Sequence, residues 1–250
     1  MPDAERIWII GASDGIGAAL AREWAGMGAR LVLSARNAET LRALAETLGP
    51  QHLVVPLDVA DRASLIAAAT TIAGYGPLDR VVHLAALYDP GQIADLDPEL
   101  AARIIAVNLT GSFHVAQIAP PLLRPGGQLA MCGSVAGYIG LPQGQIYSAT
   151  KAAVINLTES LAAEQAGKLD VRLISPGFVD TRMTQRNDFT MPAMVTPETA
   201  ARAIISGLNR RGFEVHFPRR FTLGLKLLSA LPYWAALPLT RRLVRDGGQS

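Results

Sequence analysis

The sequence predicts an α/β fold with a doubly wound parallel sheet, and three observations support this prediction. Short, almost continuously apolar runs alternate with longer stretches of helical period, as expected of buried parallel strands joined by helices. No Gly/Ser-rich linker or internal repeat divides the 250 residues, which fits a single domain. Half of the residues are hydrophobic and 18% are charged, so the chain can bury a sizeable core.

The expected strands and helices follow one another along the chain. Strands are predicted at residues 7–10, 31–34, 53–57, 81–85, 128–132 and 171–175, with a last strand in FEVHF. Helices are predicted at residues 16–27, 38–48, 62–73, 147–166 and, with a break, 98–123. Right-handed crossovers then place helices on both faces of the sheet.

The overall charge and the N-terminal sequence argue against several classes of protein. A net charge of +2 gives no strong field for nucleic acid, and no run of about 18 apolar residues predicts a membrane-spanning helix. The N-terminus lacks the basic and apolar regions of a secretory signal, and the single cysteine, Cys132, cannot form an intrachain disulfide. We therefore expect a cytoplasmic protein that has no metal site and does not bind nucleic acid.

A glycine-rich turn between the first strand and the first helix predicts a phosphate-binding site. The candidate cofactor residues of this turn are Gly11, Ser13, Asp14, Gly15, Ile16 and Gly17. Glycines let the backbone approach a pyrophosphate, and the helix N-terminus offers free N–H groups. The Asp14 carboxylate is unfavourable near phosphate, although it can cap the helix. A tight structural turn is the alternative interpretation.

The end of the second strand indicates which dinucleotide binds. The segment LVLSARN lacks the carboxylate that would bind the ribose hydroxyls of NAD, whereas Arg36 can pair with a 2′-phosphate. NADP(H) is therefore the favoured cofactor and NAD(H) the alternative. Asp58, at the end of the third strand, is either an acceptor for the adenine amine or a helix-entry residue.

Four polar residues form a candidate catalytic set: Asn108, Ser134, Tyr147 and Lys151. At helical spacing Lys151 shares a face with Tyr147, and a nearby cation lowers the pKa of a tyrosine from its usual value of about 10. Such a tyrosine can exchange a proton with an alcohol or ketone. Ser134 would stabilise the substrate oxygen, and Asn108 could order a water beside Lys151. Each residue alone has an ordinary structural explanation, but their order after a phosphate turn favours catalysis.

These motifs resemble those of the short-chain dehydrogenase/reductase family. The resemblance spans roughly residues 7–217 and rests on the glycine turn, the four catalytic candidates and SPGFVDT. It implies a Rossmann-type fold and hydride transfer between a nicotinamide cofactor and a carbonyl or alcohol, with Tyr147 as acid/base and Lys151 on the nicotinamide ribose. It also implies cofactor contacts from Asp58, Val59, Ala85, Tyr147, Lys151, Pro176, Gly177, Val179 and Thr181.

Two departures from the family pattern fall on loops that face each other. Ile10 replaces the threonine before the first glycine, so a side-chain hydrogen bond to the loop after the fourth strand is missing. That loop reads HLAA at residues 83–86, where the family has Asn-Asn-Ala-Gly. The two changes can compensate each other, and we expect His83 to be structural rather than catalytic.

The segment after SPGFVDT is expected to cover the substrate. In the family this region is a mobile lid, and Met183, Phe189, Met191 and Met194 would give it an apolar, adaptable surface. This composition favours a hydrophobic carbonyl substrate. Packing of the same side chains on the protein body or on a neighbouring subunit is the alternative.

The chain continues past the last strand as an apolar segment with basic flanks. We assign residues 1–218 to the dinucleotide-binding and catalytic domain and residues 219–250 to a helical C-terminal extension. The basic flanks are Arg219, Arg220, Arg241, Arg242 and Arg245. Together with Tyr233 and Trp234 they are typical of a helix lying in a membrane interface, as a peripheral contact. An arm over the substrate cleft or onto another protomer is the alternative.

An oxidoreductase is the function that the sequence favours. We expect NADP(H)-dependent interconversion of a ketone or aldehyde and an alcohol, on a hydrophobic small molecule, by a homodimer or homotetramer. A catalytically inactive dinucleotide sensor or scaffold is the alternative, and the complete catalytic set argues against it. An epimerase or dehydratase of nucleotide sugars would use the same Tyr and Lys but usually has a larger C-terminal substrate domain.

Overall fold

A parallel sheet forms the centre of the computed structural model, which describes residues 4–187 and 190–243. Within those residues its seven strands are β1 Arg6–Ile10, β2 Arg30–Ser34, β3 Leu53–Val54, β4 Leu78–His83, β5 Leu123–Cys132, β6 Asp170–Pro176 and β7 Glu214–Phe217. They lie in the order β3-β2-β1-β4-β5-β6-β7. The strand order reverses between β1 and β4, and a crevice forms at such a point beyond the carboxyl ends of the strands. The predicted doubly wound parallel sheet is confirmed.

Helices cover both faces of this sheet. They are α1 Gly15–Gly26, α2 Ala38–Leu48, α3 Arg62–Ala73, α4 Pro98–Ile105, α5 Gly111–Ile118, α6 Gln145–Glu164, α7 Pro197–Leu208, α8 Arg219–Ser229 and α9 Tyr233–Arg241. Ile7 and Ile9 belong to one buried cluster, while Trp8 and Ile10 belong to another. Because strand side chains alternate between faces, this division explains why β1 is apolar at every position after Arg6.

The third strand is shorter than predicted, and the break predicted in the helix at 98–123 is found. The third strand was expected at residues 53–57 but pairs as a strand only over Leu53–Val54. Pro56 has no N–H to donate, although Val55 and Leu57 still donate to backbone oxygens of the β2 segment. The predicted helix at 98–123 breaks at a π-helical turn, Ala106–Thr110, and α5 ends just before Pro120.

Helix α7 is absent from the sequence prediction. Thr196 caps it by accepting a hydrogen bond from the Thr199 N–H, and Pro197 occupies its first turn. The helix buries Ala200, Ala201, Ile204, Ile205 and Leu208. It therefore contributes to the same hydrophobic cluster as α1.

The C-terminal extension forms two short helices, α8 and α9, after β7. The Phe221 ring in α8 lies 5.7 Å from the Phe178 ring, measured between centroids. In the part of the chain that the structure describes, no helix combines the length and apolar character needed to cross a bilayer. Arg245 lies outside the described residues.

Candidate active site

A cleft of about 810 Å³ opens beyond the carboxyl ends of the central strands. Its lining includes every predicted cofactor-binding residue, namely Gly11, Ser13, Asp14, Gly15, Ile16, Gly17, Arg36, Asp58, Val59, Ala85, Tyr147, Lys151, Pro176, Gly177, Val179 and Thr181. Ser134 also lines the cleft, whereas Asn108 lies behind it. Lining residues that the sequence did not single out include Leu84, Leu87, Val107 and Arg182.

The glycine turn leaves no room for side chains where it meets the rest of the cleft. Gly11 has a φ of +95°, and a Cβ there would lie 2.7 Å from the Ala85 nitrogen. A Cβ on Gly17 would lie 2.0 Å from the Gly11 carbonyl oxygen. Glycine at these two positions is therefore required by the tight packing of the turn itself. The turn leads into the start of α1, where N–H groups and the positive end of the helix dipole favour an anion.

Asp14 has two partners at this turn. Its side chain accepts a hydrogen bond from the Gly15 N–H at 2.8 Å, which caps α1. Its other carboxylate oxygen lies 3.1 Å from Nε of Arg182, on the opposite lip of the cleft. The negative charge that seemed unfavourable near phosphate is therefore balanced by a cation that the sequence pattern did not reveal.

The residues after β2 and β3 form the other end of the cleft. Arg36 is exposed at the rim, whereas the Ser34 hydroxyl is buried and accepts a hydrogen bond from Nε1 of Trp8 at 2.9 Å. Asp58 lines the cleft, and its side chain accepts a hydrogen bond from the Ala60 N–H at 3.0 Å. Arg36 is therefore the charged group available to a ligand at the end of β2.

Helix α6 and the end of β5 bring the central catalytic candidates together. Nζ of Lys151 lies 5.6 Å from the centre of the Tyr147 ring and donates to the Cys132 carbonyl oxygen at 2.8 Å. The Ser134 side chain lies close enough to the Tyr147 hydroxyl to affect its pKa. Ser134 follows β5 and also accepts a hydrogen bond from the Ala136 N–H at 3.1 Å. Three of the four predicted residues therefore meet at one place on the cleft wall.

The protonation of Tyr147 differs from the sequence expectation. Burial raises the pKa of Tyr147 above its usual range and the Cys132 thiol adds to the rise, while the nearby Ser134 hydroxyl acts in the opposite direction. Burial also lowers the pKa of Lys151. The lowering of the tyrosine pKa expected from Lys151 is not found, because removal from water disfavours the phenolate more than its neighbours favour it.

Asn108 is buried behind the cleft, where its side chain connects two of the segments that line it. Its Oδ1 accepts a hydrogen bond from the Leu87 N–H at 2.7 Å, and its Nδ2 donates to the Leu87 carbonyl oxygen at 2.9 Å. Nδ2 also donates to Oγ1 of Thr150 at 3.1 Å. The side chain therefore ties the loop after β4 to helix α6, between Tyr147 and Lys151. The π-helical turn places it there, on a segment that sequence periodicity treats as an ordinary helix.

The segment that ends at Ile10 and the loop at residues 83–86, which depart from the family pattern, pair through their backbones. The Leu84 N–H donates to the Ile10 carbonyl oxygen at 2.8 Å, so this pairing does not need the threonine side chain. Nε2 of His83 lies 3.1 Å from Oγ of Ser112, which donates to the Asn108 carbonyl oxygen at 2.5 Å. Burial, with a smaller effect of the Lys151 charge, lowers the pKa of His83 to about 3. A neutral, buried His83 fits the structural role expected of it.

An aromatic ring from the loop after β4 packs against Tyr147. The Tyr88 ring meets the Tyr147 ring edge-on, with centroids 4.9 Å apart and planes at 71°. The Tyr88 hydroxyl donates to Oδ1 of Asn187 at 2.6 Å, which joins the loop after β4 to the lid segment. Tyr88 was not predicted, because it lies in a loop without a periodic pattern.

The predicted apolar lid is only partly found. Met183 lines the cleft, and Sδ of Met191 accepts a hydrogen bond from Nδ2 of Asn187 at 3.3 Å. Met194 is 46% exposed and so does not serve as a buried cover. Phe189 lies outside the described residues. Among those residues, no group of three or more His, Cys, Asp or Glu side chains could hold a metal ion.

Sequence relatives match most of the chain. The profile of the short chain dehydrogenase family matches residues 5–191. An uncharacterized oxidoreductase of Staphylococcus epidermidis is 34% identical over 206 residues, which cover 81% of this chain and 90% of that protein. A sorbitol dehydrogenase of Cereibacter sphaeroides is 34% identical over 183 residues, which cover 71% of this chain and 72% of that protein.

Solved structures share the fold over nearly the full length. A short chain dehydrogenase from Burkholderia cenocepacia in complex with NADP has a TM-score of 0.84 and 24% identity, covering 98% of this chain and 99% of that chain. A short chain dehydrogenase/reductase from Burkholderia phymatum in complex with NAD has a TM-score of 0.83 and 22% identity, covering 98% of each chain.

The parallel sheet, the glycine turn and the Ser-Tyr-Lys arrangement together define a dehydrogenase. The chain belongs to the short-chain dehydrogenase/reductase family and is an oxidoreductase of that family. The resemblance seen in its sequence motifs is confirmed.

Proposed function

We propose that this protein is an NADP(H)-dependent oxidoreductase that interconverts a ketone or aldehyde and an alcohol, with Tyr147 as the proton donor and acceptor. The observation that carries this proposal is the position of the Tyr147 side chain. Its ring centre lies 5.6 Å from the Lys151 ammonium, and it lines the same cleft as Ser134 and the glycine turn. A dinucleotide sensor has no need of this arrangement.

The cleft fits a nicotinamide dinucleotide in shape and charge. The tight turn through Gly11 and Gly17 leaves no room for a Cβ and brings the N-terminus of α1 to the cleft, which suits contact with a pyrophosphate. Arg36, Lys151 and Arg182 supply positive charge along the lining. When bound, the cofactor supplies or accepts the hydride. The pyrophosphate would lie at the start of α1, the adenosine near Asp58, and the nicotinamide near Gly177.

Tyr147 is suited to giving a proton to a carbonyl oxygen. Because burial raises its pKa, the hydroxyl keeps its proton at neutral pH, as donation during reduction requires. Ser134 can donate a hydrogen bond to the same substrate oxygen and stabilise the charge that develops there. Lys151 would hold the nicotinamide ribose. Asn108, whose side chain is occupied by Leu87 and Thr150, acts as a positioning residue.

The preference for NADP(H) rests on Arg36. The end of β2 carries no carboxylate, and the Ser34 hydroxyl is buried, where it accepts a hydrogen bond from Trp8. An exposed guanidinium there can bind a 2′-phosphate by two parallel hydrogen bonds. The two Burkholderia structures contain NADP and NAD respectively, so similarity to them does not distinguish the two cofactors. The proposed preference for NADP(H) therefore depends on Arg36.

A hydrophobic substrate is supported by the surroundings of Tyr147. The Tyr88 ring lies edge-on against Tyr147, and Leu87 and Met183 line the same cleft. The name of the relative from Cereibacter sphaeroides points instead to a polyol, sorbitol. A polyol would need several polar partners near Tyr147, whereas these side chains offer mainly apolar surface and a tyrosine hydroxyl already bound to Asn187.

The direct experiment is a substrate panel with purified protein. Apolar ketones and aldehydes, their alcohols, and polyols including sorbitol would be supplied with NADPH, NADH or the oxidised forms, and turnover followed by the absorbance of the reduced cofactor. We expect turnover of apolar carbonyl compounds with NADPH. Cofactor binding without turnover of any compound would support the sensor alternative, and turnover of polyols alone would contradict the hydrophobic assignment.

We also propose that the protein forms a homodimer or homotetramer. Ile105 in α4 and Phe113 in α5 are 41% and 46% exposed, and apolar side chains in this position suit contact with a second copy. Light scattering on the eluting protein would give its mass, and a monomer at micromolar concentration would contradict this proposal.

A further inference from the structure

The C-terminal extension exposes a large apolar and aromatic surface. The exposed side chains, here called the tail patch, are Leu223, Leu227, Tyr233, Trp234, Leu237, Leu239 and Leu243. Tyr233 and Trp234 are each 80% exposed, and Leu227 is 69% exposed. Isolated exposed leucines are ordinary, but a set of this kind within two consecutive helices marks an interaction surface.

Helix α8 is anchored to the protein by its other side. The Phe221 ring packs against Phe178, and Nδ1 of His216 lies 2.6 Å from Oγ1 of the buried Thr222. Lys226 donates to the Glu214 carboxylate in β7. Leu223 and Leu227 are four residues apart, so they share the opposite, outward face. Their exposure is therefore a consequence of how the helix is fixed.

Helix α9 likewise has one side that is buried against the protein and one that is exposed. Ala236 and Thr240 are buried and are four residues apart, so one stripe of the helix faces the protein. Tyr233, Trp234 and Leu237 lie off this stripe and are exposed. Both helices thus use small or polar residues for much of their inner contact and present large apolar side chains outward.

The charges around the tail patch have one sign. Residues 219–243 contain no Asp or Glu. Arg219 and Arg220 precede the patch, Arg241 and Arg242 lie near its end, and all four are exposed. Lys226 is already paired with Glu214. The surface is therefore apolar and aromatic with a cationic border, and it carries no carboxylate of its own.

We propose that the tail patch docks on the surface of an anionic lipid bilayer. Tryptophan and tyrosine are favoured at the level of the lipid headgroups, and arginines at the border can bind their phosphates. A second copy of this chain is the weaker candidate, because two such patches would bring like charges together, whereas an anionic bilayer supplies the opposite charge. Helices α8 and α9 would lie on the membrane without crossing it. This docking is independent of the oxidoreductase chemistry.

The tryptophans of the chain provide a selective probe of this docking. Trp8 and Trp24 are 0% and 2% exposed, so of the three tryptophans only Trp234 can respond to a bilayer by losing contact with water. Full-length protein would be mixed with phosphatidylcholine vesicles with or without phosphatidylserine. We expect a shift of the emission to shorter wavelength and cosedimentation with the anionic vesicles, both weakened by salt.

Matched variants identify the surface that binds. Tyr233→Ser with Leu237→Ser keeps Trp234 as the reporter and should weaken vesicle binding by roughly tenfold or more, and Arg241→Gln with Arg242→Gln should do the same for anionic vesicles. Ile93→Ser is the control, because Ile93 is 74% exposed outside the tail patch, and it should bind as the wild type does. All of these side chains are exposed, so thermal unfolding should be unchanged and the dehydrogenase site is untouched.

Three outcomes would overturn the proposal. The first is a wild-type protein that neither cosediments with anionic vesicles nor shifts its emission. The second is an equal loss of binding in Ile93→Ser, which would mean that any exposed apolar side chain suffices. The third is a fall in oligomer mass for the tail variants, by light scattering, with no vesicle binding in any form of the protein, which would identify a second copy as the occupant.

Discussion

Nζ of Lys151 lies 5.6 Å from the centre of the Tyr147 ring and donates its hydrogen bond to the Cys132 carbonyl oxygen at 2.8 Å. Helix α6 sets the spacing of the two side chains, and the end of β5 fixes the ammonium group. The protein's own backbone therefore holds the cation beside the tyrosine. This preorganised pair is the feature from which the proposed proton transfer follows.

The rate of reduction should be insensitive to pH over a wide range. Reduction requires protonated Tyr147, and because burial raises the tyrosine pKa, the proton is retained as pH rises. We expect kcat/KM for carbonyl reduction to be flat between about pH 6 and 9, while the rate of alcohol oxidation, which needs the phenolate, keeps rising. Steady-state kinetics in both directions would check this. A reduction rate that falls steadily across the range would count against a raised pKa.

Replacing Arg36 should alter the choice of cofactor. Arg36→Ala removes the group expected to bind the 2′-phosphate, so the Kd for NADPH should rise roughly tenfold to a hundredfold while that for NADH changes little. Fluorescence titration with each reduced cofactor measures both values. Arg42→Ala, at an exposed position on α2, is the matched control. Equal effects on the two cofactors would argue against the NADP(H) assignment.

Adding one methyl group to the glycine turn should weaken cofactor binding. In Gly17→Ala the new Cβ would lie 2.0 Å from the Gly11 carbonyl oxygen, so the turn must move, at a cost of about 1–3 kcal/mol. In Gly26→Ala, at the other end of α1, the Cβ meets no atom within 4 Å. Cofactor titration and thermal unfolding of both variants should show a loss in the first only. Normal cofactor affinity in Gly17→Ala would contradict the proposed phosphate site.

His83 should make the protein less stable in mild acid. Its pKa is lowered from 6.5 to about 3 by burial, so below pH 6.5 the unfolded chain binds a proton that the folded protein excludes. The free energy of unfolding should therefore fall as pH decreases toward 3, by up to about 1.4 kcal/mol per pH unit from this residue. Urea unfolding of the wild type and His83→Gln at several pH values would isolate the effect. Parallel pH dependences of the two proteins would rule it out.

The sheet was predictable because both of its faces are buried. Trp8 and Ile10 pack on one side and Ile7 and Ile9 on the other, which produces the apolar run read from the sequence. Helix α7 also carries readable signals, a capping Thr196 followed by Pro197, yet the prediction omits it. The π-helical turn at Ala106–Thr110 was not predictable, since a single inserted residue leaves the helical period almost unchanged.

The residues of the candidate site could be named from motifs, but their contacts could not. The pairing of Asp14 with Arg182 and the contact of Tyr88 with Tyr147 both involve a loop residue and join segments that are far apart in sequence. Such loops have no periodic pattern from which their paths can be read. The direction of the Tyr147 pKa was also missed, because sequence spacing reveals a nearby cation but not the depth of burial.

The most direct test of the central claim is the turnover of Tyr147→Phe beside its cofactor affinity. This variant keeps the ring against Tyr88 and near Lys151 but removes the hydroxyl proposed to exchange the proton. With a substrate found in the panel, we predict that kcat falls by roughly 10²–10⁴-fold while the Kd for NADPH changes little. Full turnover by Tyr147→Phe would contradict the assignment of Tyr147 as the proton donor.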